Sequence, residues 1–360
     1  MYKVLGVMSG SSLDGLDLCI SSFSQENGLW SSEILKTASV GFPENLVDKL
    51  SIARNLSGLE LTIFENEFSG FVADSINTHF NNDDYELIGF HGHTVFHNPN
   101  EGYTLQIGNG ALLSAMCDKP VVYDFRRTDV ALGGQGAPLV PVGDALLFNQ
   151  YAGCLNLGGI ANLSVIPKEG DILKLAGFDV CACNQVLNFY AQQIGFQYDD
   201  GGKLARLGTI DANLLAYFNS IPWLALPYPK SLGNEYVYDH YIKNAPSIHP
   251  ADGLATATAH FAEQIANAIS PYNLKGEVLV TGGGAYNTFL IEEISKKLTQ
   301  LNSAASILVA SPELINFKEA HLFAFLGLLR CLEIENTWAS VTGATRNAIS
   351  GALVGLNPYK

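Results

Sequence analysis

The sequence predicts an α/β protein built as two similar domains, and three observations carry that expectation. Segments that read as strands alternate with segments that read as helices along the whole chain. A strand–glycine turn–strand unit opens each half, around 9–15 in the first and 158–162 in the second. The length of 360 residues, 48% hydrophobic and only 15% charged, provides for two cores at about 150 residues each. The boundary is expected near 134, at the stretch Gly133-Gly-Gln-Gly-Ala-Pro-Leu-Val-Pro141, giving domains 1–134 and 135–339 with the tail 340–360 packed back on the first.

The elements follow in order. Residues 3–8 read as a short buried strand and 16–23 as a second, joined by small residues that end in Asp14-Gly15, a tight-turn pair. Helical spacing runs over 43–80, through Leu46, Leu50 and Ala53 and then Ile63, Phe64, Phe68, Phe71 and Val72. Strands are expected near 86–90, 103–107 and 120–123. In the second half, 154–157 and 163–166 pair around their turn, and 172–178 is a strand ending at Asp179. Helices are expected over 184–194, 252–269, 286–299 and 318–333. Within 252–269, Leu254, Phe261, Ile265 and Ile269 share a face behind Asp252 as N-cap. Strand 277–281 runs into Gly282-Gly-Gly-Ala285 and a helix.

Charge narrows the partners. With 20 Lys+Arg against 35 Asp+Glu, the net charge of −15 argues against nucleic acid or an anionic membrane. No apolar run approaches the roughly 18 residues of a bilayer span, and the N-terminus does not read as a signal peptide. The six cysteines are scattered, as reduced thiols of a cytoplasmic protein would be. An anionic ligand would therefore be held locally, by backbone N–H groups, a divalent cation or a few basic residues.

Three glycine turns follow strands and suit that task. Glycine reaches backbone angles closed to other residues, and its missing Cβ lets a phosphate approach the amides. The candidates are Gly10, Ser11, Ser12, Leu13, Asp14 and Gly15, with Leu16 and Asp17 just beyond. The second turn adds Gly158, Gly159 and Asn162, and the third Gly282, Gly283 and Gly284. Two hairpin turns would grip the polyphosphate of ATP, and the strand–glycine–helix turn would offer a surface for a base. Asp14, through water, and then Asp17 are the candidates for Mg²⁺. The plain alternative is that each glycine only makes a turn. Neither a Walker pattern nor GxGxxG is present.

The segment Gly6-Val-Met-Ser-Gly-Ser-Ser-Leu-Asp-Gly-Leu-Asp17 resembles the signature of the anhydro-N-acetylmuramic acid kinases, sugar kinases of the actin/hexokinase/Hsp70 ATPase superfamily. The resemblance continues through His91-Gly-His-Thr-Val-Phe-His97, Thr104-Leu-Gln-Ile-Gly108 and Val122-Tyr-Asp-Phe-Arg-Arg-Thr-Asp129. It goes on through the 133–141 stretch, Leu155-Asn-Leu-Gly-Gly-Ile-Ala-Asn162, Gly177-Phe-Asp179 and Pro229-Lys-Ser-Leu-Gly-Asn-Glu235. It ends with Gly282-Gly-Gly-Ala-Tyr-Asn287 and Lys318-Glu-Ala320. It implies two actin-like, ribonuclease H-like ATPase domains with an interdomain active-site cleft, and ATP with Mg²⁺. The implied substrate is the amino sugar 1,6-anhydro-N-acetylmuramic acid. Its anhydro ring is opened by water as O6 is phosphorylated, giving N-acetylmuramic acid 6-phosphate for peptidoglycan recycling.

By the same resemblance Asp179 is the catalytic carboxylate, and His91, Thr94, Arg126, Arg127 and Glu319 contact the sugar. Arg126 and Arg127 suit a carboxylate by their fork geometry, or else form ion pairs with Asp124 and Asp129. The chain departs from the family at Ser11 and His93, where Thr and Gln are usual. It departs again at Val180-Cys-Ala-Cys-Asn184, where Thr-Gly-Pro-Gly-Asn is usual. A homodimer is left open. Two other readings stand beside the kinase: a zinc hydrolase using His91, His93 and His97, with Cys181-x-Cys183 as a lesser metal or redox motif, and a nucleotide-gated sensor on the same scaffold.

Overall fold

The computed structural model describes residues 1–10, 13–80, 83–167, 175–227 and 230–360, so Ser11 and Ser12 lie outside the described residues. Its contacts divide the chain into one unit of Met1–Leu147 with Phe317–Lys360, and another of Phe148–Asn316.

The first unit opens with an antiparallel meander, β1 (Tyr2–Ser9), β2 (Gly15–Glu26) and β3 (Leu29–Gly41). Buried β4 (Leu87–Phe90) then lies parallel to β1. A separate hairpin, β5 (His93–Asn98) with β6 (Tyr103–Ile107), precedes β7 (Val121–Tyr123), which lies parallel to β4. Alternate apolar side chains of β1 and β2, Leu5, Val7, Leu18 and Ile20, meet Phe64, Phe68, Val72 and Ile76 of the helix Gly58–Phe80. The helical stretch expected over 43–80 is two helices, Glu44–Ile52 and Gly58–Phe80. Ser57 starts the second with a capping box: Glu60 N–H donates to Ser57 Oγ, and Ser57 N–H donates to Glu60 Oε2.

The second unit repeats the plan. β8 (Gly153–Leu157), β9 (Ile160–Val165) and β10 (Ala176–Ala182) form a meander, and β11 (Gly276–Thr281) and β12 (Ala305–Val309) add parallel to β8 and to β11. Strand order is β10-β9-β8-β11-β12, matching β3-β2-β1-β4-β7. The helix expected to begin at Asp252 starts at Pro250 with His249 as N-cap, and Asp252 instead accepts from Thr209 N–H at 2.7 Å. Leu254, Phe261, Ile265 and Ile269 are all buried there.

The chain returns to the first unit within the helix Pro312–Cys331, and β13 (Ala352–Val354) closes that sheet antiparallel to β7. Glycines let this helix lie directly on the sheet. A Cβ on Gly6 would stand 1.8 Å from Ala320 O, and one on Gly89 2.3 Å from Phe323 O. The division of contacts falls at 147/148 and 316/317, not at 134 and 340. Two buried contacts draw those segments in: Asp144 of the helix Val140–Leu147 pairs with Lys318 at 2.8 Å, and Gly143 abuts Leu322. The Gly133–Gly136 loop wraps buried Asp129, which accepts from Gly136 N–H at 2.7 Å and Thr342 Oγ at 2.6 Å.

Candidate active site

Two clusters form, one in each unit. In the second unit, Asp179 lies within β10, with a bulge between it and Cys181, and not after a strand at 172–178 as expected; 172–174 lie outside the described residues. It sits across from Asn162 at the foot of the β8–β9 turn. Leu232 N–H donates to Oδ2 at 2.7 Å and Ser231 Oγ–H donates to the same oxygen at 3.2 Å. Among the described residues Oδ1 has no hydrogen-bond donor. Burial pushes the carboxyl from its ordinary 3.8 to about 6, against the pull of those two donors and of Lys230. A group poised there can take up a proton near neutral pH.

The turn is braced from one side. Cys183 N–H donates to Gly159 O, Asn184 N–H to Gly158 O, and Asn184 Nδ2 to Leu157 O. Neither Gly158 nor Gly159 has a positive φ. A Cβ on Gly158 would meet nothing nearer than 3.4 Å, and one on Gly283 nothing nearer than 3.9 Å. The fold itself therefore leaves room for a side chain at both positions. Gly282 differs: its φ is +79°, and a Cβ would stand 2.5 Å from Asn156 Oδ1. Gly284 abuts Leu157.

Asn184, Gly283 and Gly284 line a cavity of about 480 Å³ with Tyr198, Asp199, Asp200, Gly201, Tyr286 and Asn287. The sequence reading did not single out Tyr198–Gly201. Its signal was available, since Asp199-Asp200-Gly201-Gly202 has turn chemistry, and Asp199 accepts from Leu204 and Ala205 N–H.

In the first unit, Glu319 feels the charges of both Arg126 and Asp17. Asp17 is half-buried, accepts from Ser39 Oγ at 2.7 Å, and is raised by burial and by the charge of Asp14. Glu319 is also raised by burial, against Arg126 and Lys318. Leu16 is buried in the core, so its side chain is beyond a ligand's reach. Leu13, just ahead of Asp14 and Gly15, takes a left-handed φ of +59°. Thr94 lies in the β5–β6 hairpin, accepting from Gln106 Nε2 at 3.3 Å.

The two arginines part ways. Exposed Arg127 pairs with Asp124 at 3.3 Å, whereas Arg126 Nε–H donates to His91 Nε2 at 3.0 Å. His91 is 3% exposed, so its ring is enclosed by the protein around it.

The zinc reading fails on the same geometry. Gly92, with φ +81°, breaks the strand before β5, so His91 and His93 do not share a strand face. His91 is engaged by Gly92 O and Arg126, His93 by Ser9 Oγ, and His97 by Thr104 Oγ. Among the described residues no three His, Cys, Asp or Glu gather as a metal site. Cys181 and Cys183 are fully buried thiols, and burial pushes Cys183 up to about 12.

Sheets ordered 3-2-1-4-5, with an antiparallel meander and two parallel strands in each unit, define a duplicated ribonuclease H-like fold. The family described as anhydro-N-acetylmuramic acid kinase matches residues 2–355. The anhydro-N-acetylmuramic acid kinase of Burkholderia vietnamiensis strain G4 is 34% identical, over 97% of this chain and 95% of its own. That of Pseudomonas syringae pv. tomato strain DC3000 is 35% identical, over 98% and 99%. The chain belongs to the anhydro-N-acetylmuramic acid kinase family. Among solved structures, the activator of the 2-hydroxyisocaproyl-CoA dehydratase from Clostridium difficile covers 90% of this chain and 94% of its own at 15% identity, with a TM-score of 0.45.

Proposed function

We propose that this chain uses ATP to phosphorylate 1,6-anhydro-N-acetylmuramic acid on O6 while water opens the anhydro ring. The observation that carries the reading is Asp179: one oxygen is fixed by two donors, the other is free to take a proton, and the group titrates near 6. Water adds to C1 and the C1–O6 bond breaks. O6 keeps that electron pair and forms the new bond to the γ-phosphorus, and ADP leaves. The water's surplus proton goes to Asp179 Oδ1. The products are N-acetylmuramic acid 6-phosphate and ADP, with one proton released, as recycling of cell-wall sugar requires.

The base and ribose are assigned to the cavity beside Gly283 and Gly284, where Tyr198 and Tyr286 are both exposed. The amides of the turns at 9–15 and 158–162 serve the triphosphate, and the room left at Gly158 supports that use. Mg²⁺, held by Asp14 through water and by Asp17, would neutralise phosphate charge. Arg126 takes the lactyl carboxylate, with Thr94 and Glu319 toward the sugar hydroxyls; Arg127 is secondary because Asp124 already engages it.

No helix of the described residues is long and apolar enough to cross a membrane. All six cysteines are free, which supports a cytoplasmic setting.

Mass spectrometry of the product made in ¹⁸O-labelled water tests the reaction. Label on the anomeric hydroxyl together with phosphate on O6 is expected. Phosphate on O6 without label would exclude the hydrolytic half, and nucleotide binding with no sugar-dependent turnover would favour the sensor.

A further inference from the structure

Arg126 is held in an unusual way for a half-buried cation. Its Nε–H donates to a neutral acceptor, His91 Nε2, at 3.0 Å. Among the described residues no carboxylate lies within ion-pair distance of it, although Glu319 acts on it through space. Its two terminal amino groups have no hydrogen-bond partner there. Arg127, one residue on, has the opposite arrangement, exposed and paired with Asp124. A guanidinium binds a carboxylate through its Nε edge or end-on through its two Nη groups. His91 occupies the Nε edge, so only the end-on face is left.

His91 is built for this single task. A backbone carbonyl only accepts, so the 2.9 Å contact from Nδ1 to Gly92 O puts the proton on Nδ1. An arginine Nε only donates, so Nε2 must carry the lone pair. Both neighbours demand the same neutral tautomer. Burial and the guanidinium charge hold the ring's pKa well below its ordinary 6.5. The residue is pinned as well: the ring centroid is 4.5 Å from that of Phe323, and the backbone N–H of His91 donates to Val7 O. Gly92 takes the left-handed φ of +81° in a place where a Cβ would stand 2.7 Å from Ile107 O.

We infer that His91 is a positioning residue that fixes the guanidinium of Arg126 end-on toward the substrate's carboxylate, and so sets preference for the acid-bearing anhydro-sugar. This replaces the expectation that His91 touches the sugar. The inference rests on the reading that Arg126 takes that carboxylate.

Steady-state kinetics of His91→Leu, His91→Gln and Arg126→Ala are to be measured on the anhydro-sugar acid and on the same anhydro-sugar lacking the lactyl ether. In His91→Leu, KM for the acid should rise roughly 10- to 100-fold, with kcat changed less than about threefold and the acid-free sugar unaffected. His91→Gln, whose amide oxygen can accept, should recover most of the loss. His91→Leu added to Arg126→Ala should bring no further change. An equal loss on both sugars, or no rescue by Gln, would overturn the positioning role. If Arg126→Ala leaves preference for the acid intact, it is the carboxylate reading that falls.

Should His91→Leu not fold, ¹⁵N-histidine NMR of the unaltered protein decides. A neutral ring protonated on Nδ1 from pH 5.5 to 8 supports the inference. An Nε2–H tautomer, or an imidazolium at neutral pH, refutes it.

Discussion

Replacing Asp179 by Asn separates what this carboxyl does for chemistry from what it costs the fold. Its pKa is raised from 3.8 to about 6, chiefly by burial. The folded state therefore binds the proton more tightly than the unfolded chain does. Stability from this group is full below about pH 4 and is lost as pH rises through 6. A shift of about two units at about 1.4 kcal/mol each puts the cost of the charge near 3 kcal/mol at pH 8. Asn carries no charge and its oxygen can still accept from Leu232 N–H. Asp179→Asn should thus be more stable than the parent by up to about 3 kcal/mol at pH 8, and equal to it near pH 3.5. Urea denaturation of both proteins across that range measures the difference. Turnover should fall by roughly 10²- to 10⁴-fold, and kcat/KM of the parent should drop as pH falls below about 6. A stability difference independent of pH would refute the burial argument. Near-parental turnover would remove Asp179 from its role.

Gly283→Ala and Gly158→Ala should leave stability within about 0.5 kcal/mol while raising KM for ATP, because the fold leaves room and a bound phosphate would not; thermal melts beside ATP titrations check both. Gly282→Ala, at a φ of +79° and with its Cβ 2.5 Å from Asn156 Oδ1, should lower the melting temperature itself. Gly89→Ala should fail to give a folded first unit, because the new carbon would stand 2.3 Å from a carbonyl of the helix that crosses the sheet; circular dichroism and soluble yield report it. Lys318→Met should cost about 3–5 kcal/mol by stranding Asp144, which is 1% exposed; Asp144→Asn added to it should restore part of that loss in chemical denaturation.

The duplicated plan was legible because its signals are local. Apolar runs such as 87–90 and 154–157 make buried strands wherever they lie, and glycines mark the turns between them. The break at 53–57 was equally local, written in Ser57 and Glu60, but an apolar periodicity continuing on both sides masked it. Asp179, Arg126 and the turn residues stand out as candidates because their residue types and family spacing survive in one dimension.

What the chain order could not carry is which groups meet. Arg126 and Arg127 are neighbours with the same chemistry, yet a helix start after β7 sends one to His91 and the other to Asp124. Gly6 and Gly89 read as ordinary strand glycines until a helix more than 200 residues later lays its carbonyls against them. The tautomer of His91, the raised carboxyl of Asp179 and the room beside Gly158 all depend on distances between segments remote in sequence. Desolvation and hydrogen-bond direction act through space, so tertiary structure alone decides them.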